Sequence, residues 1–139
     1  MTERGNERVV GEIVNAINRQ DLDALLNQLA DNVKAFLSGF DEKVDKEMMR
    51  ECWAGCYVPF PDLTYHVDRM VSQGDTVVAE ATASGTHRGE FLGIPATNKK
   101  AEGRVIWVLD FEDGKVKLWK EYVNFPGFAF AQLERFLRG

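Results

Sequence analysis

Hydrophobic positions recur every three to four residues in the first 60 residues of the chain, which predicts helices. Valine and isoleucine at this spacing predict an amphipathic helix over residues 4–19. Asp21 fits the N-cap of a second, short helix that is rich in leucine. A short strand over 33–37 is expected next. A third helix over roughly 42–57 ends before Pro59, because proline cannot continue a helix.

In the second half of the chain the period changes to two residues, which predicts strands. Gly74-Asp75 and Asp113-Gly114 stand between alternating runs and predict two tight hairpin turns. The predicted strands cover residues 63–67, 77–87, 104–112 and 115–124. Apolar residues near the C-terminus predict a closing helix at about 130–137.

This order of elements predicts the α+β class, in one domain over residues 1–139. A twisted antiparallel sheet of this size can curl around the N-terminal helices and leave an apolar pocket between them. On strand 77–87, the face with Ala79, Ala81, Ala83 and Gly85 carries only small side chains. Either a helix packs closely there or the space is a pocket, and both alternatives stay open.

Composition narrows the classes of partner. The 139 residues are 45% hydrophobic and 28% charged, which is typical of a globular chain. The net charge of −5, with Lys99-Lys100 as the only adjacent basic pair, argues against binding to nucleic acid or to an anionic membrane surface. No apolar run approaches the roughly 20 residues of a membrane span, and the polar N-terminus lacks a signal-peptide core. We therefore expect a cytoplasmic protein.

Cys52 and Cys56 are the two cysteines, four residues apart in a predicted helix. This spacing suits a disulfide badly, and two thiols are too few for a structural zinc site. We expect both to be reduced and half-buried. Since no cluster of His, Cys and carboxylates has metal-ligand spacing, neither a metal nor another cofactor is expected.

Three groups of residues have the order and spacing of a known family. They are Phe60-Pro61-Asp62-Leu63-Thr64 with Gly74-Asp75, the segment from Gly85 to Pro95 that reads Gly-Thr-His-Arg-Gly-Glu-Phe-Leu-Gly-Ile-Pro, and Phe111-Glu112-Asp113-Gly114-Lys115-Val116. Through them the chain resembles the SnoaL-like polyketide cyclase family. The resemblance implies a cone-shaped α+β barrel of the nuclear transport factor 2-like superfamily, with a curved sheet and helices around an apolar pocket.

The resemblance also implies a partner. Many members of the superfamily dimerise through the sheet, so a homodimer is expected. The faces of the predicted strands that carry Val78, Ile106 and Val108 are partly apolar, as such a contact requires. Members of the superfamily include both enzymes and non-catalytic binding domains, so the fold alone does not decide the chemistry.

Glu121 is the first candidate for catalysis. It shares a strand face with Trp119 and Val123, where a carboxylate is unexpected unless it is paired or functional. In the cyclases that the chain resembles, an Asp in this position is the acid/base, which implies that role for Glu121. If Glu121 faces an apolar cavity, its pKa should be raised. The alternative is an outward Glu121 paired with a cation such as Arg104.

Trp107 and His87 each have two alternative roles. The resemblance places a His of the cyclases at Trp107, whose indole cannot transfer a proton at neutral pH. Trp107 is therefore either a core aromatic or a pocket wall that stacks on a planar ligand. Histidine is the residue type suited to acid/base work, so His87 could act in catalysis, or it could hold the loop over 89–95 by a hydrogen bond.

Several further aromatic residues are expected to line the pocket and bind its ligand: Phe36, Phe40, Trp53, Tyr57, Phe91 and Trp119. The loop over 89–95 should border the pocket mouth, since its apolar residues need cover. The first hypothesis is an enzyme for an apolar, carbonyl-bearing small molecule, in which Glu121 catalyses aldol cyclisation or isomerisation without a cofactor. The alternatives are a non-catalytic hydrophobic ligand-binding domain and a structural dimer whose aromatics fill its own cavity.

Overall fold

The computed structural model describes residues 2–38, 42–91, 93–124 and 137–138. Its helices are α1 (Glu3–Asn18), α2 (Leu22–Asn27) and α3 (Lys46–Cys56). Its strands are β1 (Leu29–Phe36), β2 (Thr64–Gln73), β3 (Thr76–Thr86), β4 (Lys100–Glu112) and β5 (Lys115–Asn124). The α+β class is confirmed. Phe40 and nearly all of the predicted closing helix lie outside the described residues.

Each helix begins after a side chain that accepts a hydrogen bond from its first turn. The Thr2 hydroxyl accepts from the Gly5 amide at 2.9 Å, and the Asp21 carboxylate accepts from the Ala24 amide at 3.0 Å. The Asp45 carboxylate accepts from the amide of Met48 at 2.9 Å. Because Asp45 is the N-cap, α3 starts at residue 46 rather than at the predicted 42. No helix in the described ranges is long and apolar enough to cross a membrane.

The five strands form one curved sheet in the order β1-β5-β4-β3-β2, which does not close. β2, β3, β4 and β5 are antiparallel neighbours, and the turn dipeptides predict two of these three pairings, β2 with β3 and β4 with β5. β1 instead pairs in parallel with β5, the last described strand in the chain, a pairing that the sequence pattern did not specify. A turn signal specifies only a pairing between sequence neighbours, and β1 and β5 are distant in the chain.

The core lies between the inner face of the sheet and the helices. α1 packs on β2 and β3 through an apolar stripe, and its buried residues include Val10, Ile13 and Ile17. α3 covers the other part of the sheet and contributes Met49 and Trp53 to the core. The sheet and the helices diverge beyond this contact, and the space between them is the candidate site.

Candidate functional site

A cavity of about 640 Å³ opens between α3, the inner face of the sheet and the loop after β3. This volume lies within the range of pockets that hold drug-sized ligands. Small residues on two neighbouring strands create the concavity. Ala83 pairs with Gly103, Gly85 pairs with Ala101, and all four line the cavity.

The stripe of small residues on β3 therefore serves both purposes that the sequence left open. Ala79 and Ala81 are buried in the packed core, each with 1% of its surface exposed. Ala83 and Gly85, toward the end of the strand, line the cavity instead. The same sequence pattern supports close packing at one end and a pocket at the other.

Glu121 lines the cavity, and its carboxylate accepts a hydrogen bond from a residue of the core. It lies on β5 directly opposite Trp107 of β4, whose Nε1–H donates a hydrogen bond of 3.0 Å to Oε2 of Glu121. Burial raises the pKa of the Glu121 carboxyl, while the hydrogen bonds from Trp107 and from the Ser38 backbone oppose that shift. The alternative pairing with Arg104 is not formed, since Arg104 is exposed and no ion pair to Glu121 is found among the described residues.

Three tryptophans form a packed cluster behind Glu121. Trp107 and Trp119 are fully buried, with ring centroids 4.9 Å apart, and Trp53 lies 6.3 Å from Trp107 and 6.2 Å from Trp119. These rings belong to the core and do not form the described cavity wall. Of the two alternatives for Trp107, the structure supports the core aromatic. Its indole contacts the site through the hydrogen bond to the Glu121 carboxylate.

The other predicted lining residues are divided between several places. Phe91 lines the cavity beside the Phe60 ring, 5.2 Å away, and with Glu90 confirms that the loop borders the cavity. The Tyr57 hydroxyl instead donates to the Ile17 carbonyl at 2.8 Å and so ties the end of α3 to α1. Phe36 is a correction to the expected lining. Its neighbour Ala35 faces the core, so strand alternation places Phe36 on the outer face, where 45% of its surface is exposed.

His87 lies beside the cavity, where it joins the loop to the end of β3. Its backbone exchanges hydrogen bonds with Asn98 and Lys99, and its Nδ1 lies 3.0 Å from the Thr97 hydroxyl. The ring is buried against Phe60 and is not part of the described cavity wall. Gly89 then docks on the Pro59 carbonyl, at a position where a Cβ would collide with the Val58 carbonyl oxygen. These contacts support the loop-holding alternative for His87.

The cavity wall also holds residues that were not predicted from the sequence, among them Tyr65, Cys52 and Cys56. Tyr65 lies two residues after the inward-facing Leu63, and this two-residue spacing was the signal that could have placed Tyr65 on the inner face. The two thiols lie one turn apart on the side of α3 that faces the sheet. Burial, with the charge of nearby Glu121, raises the pKa of the Cys56 thiol to about 12. Cys56 therefore stays protonated and is a poor nucleophile.

Acidic groups account for every charge on the described part of the cavity wall. Glu51, Glu90 and Glu121 are present, and no Lys, Arg or His of the described ranges lines the cavity. The remaining wall is mostly apolar. Among the same residues, no group of three or more His, Cys, Asp or Glu could hold a metal ion. This charge distribution favours a neutral or cationic ligand over a carboxylate or a phosphate.

The comparisons with known proteins agree with the fold. AclR from Streptomyces galilaeus, to which a hydroxylase activity has been ascribed, is 27% identical with a TM-score of 0.81, over 88% of this chain and 77% of its own. IdmH from Streptomyces antibioticus, to which a polyketide cyclase activity has been ascribed, is 26% identical with a TM-score of 0.80, over 93% and 98% of the two chains. A SnoaL-like protein from Jannaschia, 22% identical with a TM-score of 0.79 over 87% and 86%, shares the fold.

The sequence comparisons give two results. A search of curated proteins finds no match. The family model described as SnoaL-like polyketide cyclase matches residues 7–132, which include every described strand of the sheet and all cavity residues named above. The chain belongs to the SnoaL-like polyketide cyclase family.

Proposed function

We propose that the cavity binds a neutral, flat, largely apolar small molecule with a carbonyl group, and that Glu121 moves a proton at the carbon next to that carbonyl. The observation that carries this proposal is the position of Glu121, a carboxylate on the wall of an apolar cavity with a raised pKa and no ion-pair partner in the described chain. Such a group is suited to exchange a proton near neutral pH.

The proposed step conserves atoms and electrons without a redox change. The Glu121 carboxylate takes the proton as the C–H bond breaks, and the electron pair of that bond forms a carbon–carbon double bond. The carbonyl oxygen gains the charge of the resulting enolate. Return of the proton to another carbon gives isomerisation, while attack of the enolate on a second carbonyl of the same molecule closes a ring. The ascribed cyclase activity of IdmH supports this reaction class.

A non-catalytic ligand-binding domain is the second candidate, and Trp107 favours it. The residue that contacts Glu121 offers only an indole N–H, which positions the carboxylate but cannot relay a proton. Binding with no exchange of the ligand's protons would be the result for this candidate.

The two candidates are separated by a probe that reports both events. We expect 1-tetralone, a fused-ring ketone, to bind and to exchange its C2 protons for deuterium in D₂O, followed by proton NMR. Ala83→Phe places a ring in the cavity and should remove binding and exchange together. Ala54→Phe makes the same replacement at an exposed position of α3 outside the described cavity wall, and as the matched control it should change neither.

The outcomes have distinct meanings. Binding without exchange supports the binding domain. Exchange that survives Ala83→Phe unchanged would show that proton transfer occurs elsewhere and contradicts the proposed site.

We also propose that two copies of the chain associate through the outer face of the sheet. Ile106 and Tyr122 are cross-strand partners there, 38% and 58% exposed, and Phe36 and Val71 add to the same apolar face. An exposed apolar surface of this kind is typical of an interface, and a two-fold contact covers it on both copies.

The dimer has a simple test by light scattering at micromolar concentration. The expected mass is twice the 15.7 kDa of the chain. Tyr122→Glu should return the mass to that of a monomer, because it would bury an unpaired carboxylate in the contact. Glu12→Lys, an exposed position on α1, is the control that should leave the dimer intact. A monomeric mass for the unaltered chain contradicts the proposal.

A further inference from the structure

The ring of Tyr65 packs against the core, and its hydroxyl is the part of the residue that this packing does not explain. Its side chain lines the cavity, and only 8% of the residue is exposed. No hydrogen-bond partner for its hydroxyl is found among the described residues, although its backbone is bonded on both sides. Because Tyr65 lines the cavity, a ligand or water there can complete the hydrogen bond of this hydroxyl.

The backbone of Tyr65 is held firmly in place. The Asn18 side chain accepts from the Tyr65 amide at 2.7 Å and donates to its carbonyl at 2.9 Å. This double contact joins the end of α1 to the start of β2. With the backbone fixed and the ring packed against Trp53 and Trp107, the phenol is oriented before any ligand enters, which lowers the entropic cost of a hydrogen bond to a ligand.

Trp107 connects Tyr65 to Glu121. One face of its indole stacks on the Tyr65 ring, with centroids 5.3 Å apart and planes inclined by 20°, and its Nε1–H donates to the Glu121 carboxylate. The same buried side chain thus sets the position of a hydroxyl donor and of a carboxylate acceptor, both on the wall of one cavity.

We propose that the Tyr65 hydroxyl donates a hydrogen bond to the carbonyl oxygen of the ligand while Glu121 removes the proton from the adjacent carbon. The inference rests on the proposed function and adds its second catalytic residue. As the C–H bond breaks, charge moves onto the carbonyl oxygen, and the Tyr65 O–H stabilises it there. The phenol keeps its proton in this step, and the displaced proton stays on Glu121.

The electrostatics of the site agree with a donor role. Burial and the charge of Glu121 hold the pKa of the Tyr65 phenol well above its ordinary value of 10. The phenol therefore keeps its proton at neutral pH, as the step requires. The donor role of Tyr65 also predicts the ligand class. A ketone should bind better than a hydrocarbon of the same shape, since only the ketone can accept a hydrogen bond from the Tyr65 hydroxyl.

The test compares Tyr65→Phe with the unaltered chain by two measurements. The infrared stretching band of the carbonyl of bound 1-tetralone should lie at lower frequency than in an apolar solvent, and Tyr65→Phe should remove that shift. Deuterium exchange at C2 should fall by roughly 10²–10³-fold, the usual loss for one donor to a developing oxyanion. Binding of tetralin, which lacks the carbonyl, should change less than about twofold, because phenylalanine retains the ring stacked on Trp107.

Tyr57→Phe is the matched control, since it removes a hydroxyl that donates to the Ile17 carbonyl outside the cavity wall. It should leave the carbonyl band of 1-tetralone unchanged. The same band position in the unaltered chain and in Tyr65→Phe would overturn the inference. A band shift that Tyr65→Phe removes, in a protein that catalyses no exchange, would support the role of Tyr65 in binding and contradict only the proton transfer assigned to Glu121.

Discussion

Replacing Glu121 by glutamine is expected to reduce deuterium exchange at C2 of 1-tetralone by about 10²–10⁴-fold, the usual contribution of a general base. Glutamine has nearly the same shape, and its amide oxygen can still accept the hydrogen bond from Trp107 Nε1. The substitution therefore removes the proton acceptor while it keeps the cavity. Binding of 1-tetralone should remain, and with it the infrared shift of the carbonyl.

The same variant has an expected effect on stability, with a defined sign. Folding raises the pKa of Glu121 above its ordinary value of 4.5, so the native state binds this proton more tightly than the unfolded chain does. The unaltered protein then loses stability as pH rises from about 4.5 through the raised pKa. Glu121→Gln removes that loss, and it should be at least as stable as the unaltered chain at pH 7. Below pH 4 the advantage should disappear.

Glu51→Gln is the control for this experiment, because Glu51 also lines the cavity but is exposed. It should retain most of the exchange rate. Thermal unfolding at several pH values and proton NMR of 1-tetralone give both results. A Glu121→Gln variant that keeps the full exchange rate would exclude Glu121 as the base. One that is clearly less stable at pH 7 would show that ionised Glu121 is stabilised in the fold.

Patterns that depend on neighbouring residues were predicted well from the sequence. The N-cap at Asp21, the hairpin at Asp113-Gly114 and the bounds of β5 agree with the structure, because each is specified by local backbone and side-chain chemistry. Strand alternation put Glu121 on one face of β5 with Trp119 and Val123, and the structure shows that Glu121 on this face lines the cavity.

The remainder of the site depends on contacts that sequence spacing does not specify. Phe36 was expected in the cavity, but a strand's period gives two faces without saying which one is covered. The parallel pairing of β1 with β5 decides that Ala35 faces inward. Tyr65 was seen only as one apolar residue of an alternating strand. Its role becomes visible when Trp107, 42 positions later in the sequence, is found stacked on it.

The second large effect concerns Trp107, the residue that joins the core to the site. Trp107→Ala is expected to destabilise the fold by about 3–5 kcal/mol, because it empties the centre of a cluster in which Trp53, Tyr65 and Trp119 all contact the indole. For a chain of this length that corresponds to a melting temperature lower by roughly 10–15 °C. Thermal unfolding followed by circular dichroism measures it.

A pair of conservative variants separates the Trp107 ring from its N–H. Trp107→Phe removes the hydrogen bond to Glu121, while Trp119→Phe removes an indole N–H that has no hydrogen-bond partner in the described chain. Both substitutions replace a fully buried indole of the same cluster, so they should lower the free energy of unfolding by similar amounts through lost packing. Only Trp107→Phe should raise the pKa of Glu121 further, since the lost bond favours the charged carboxylate. Carbon NMR titration of the Glu121 carboxyl in the two variants measures that difference, and equal pKa values would show that the indole N–H does not tune Glu121.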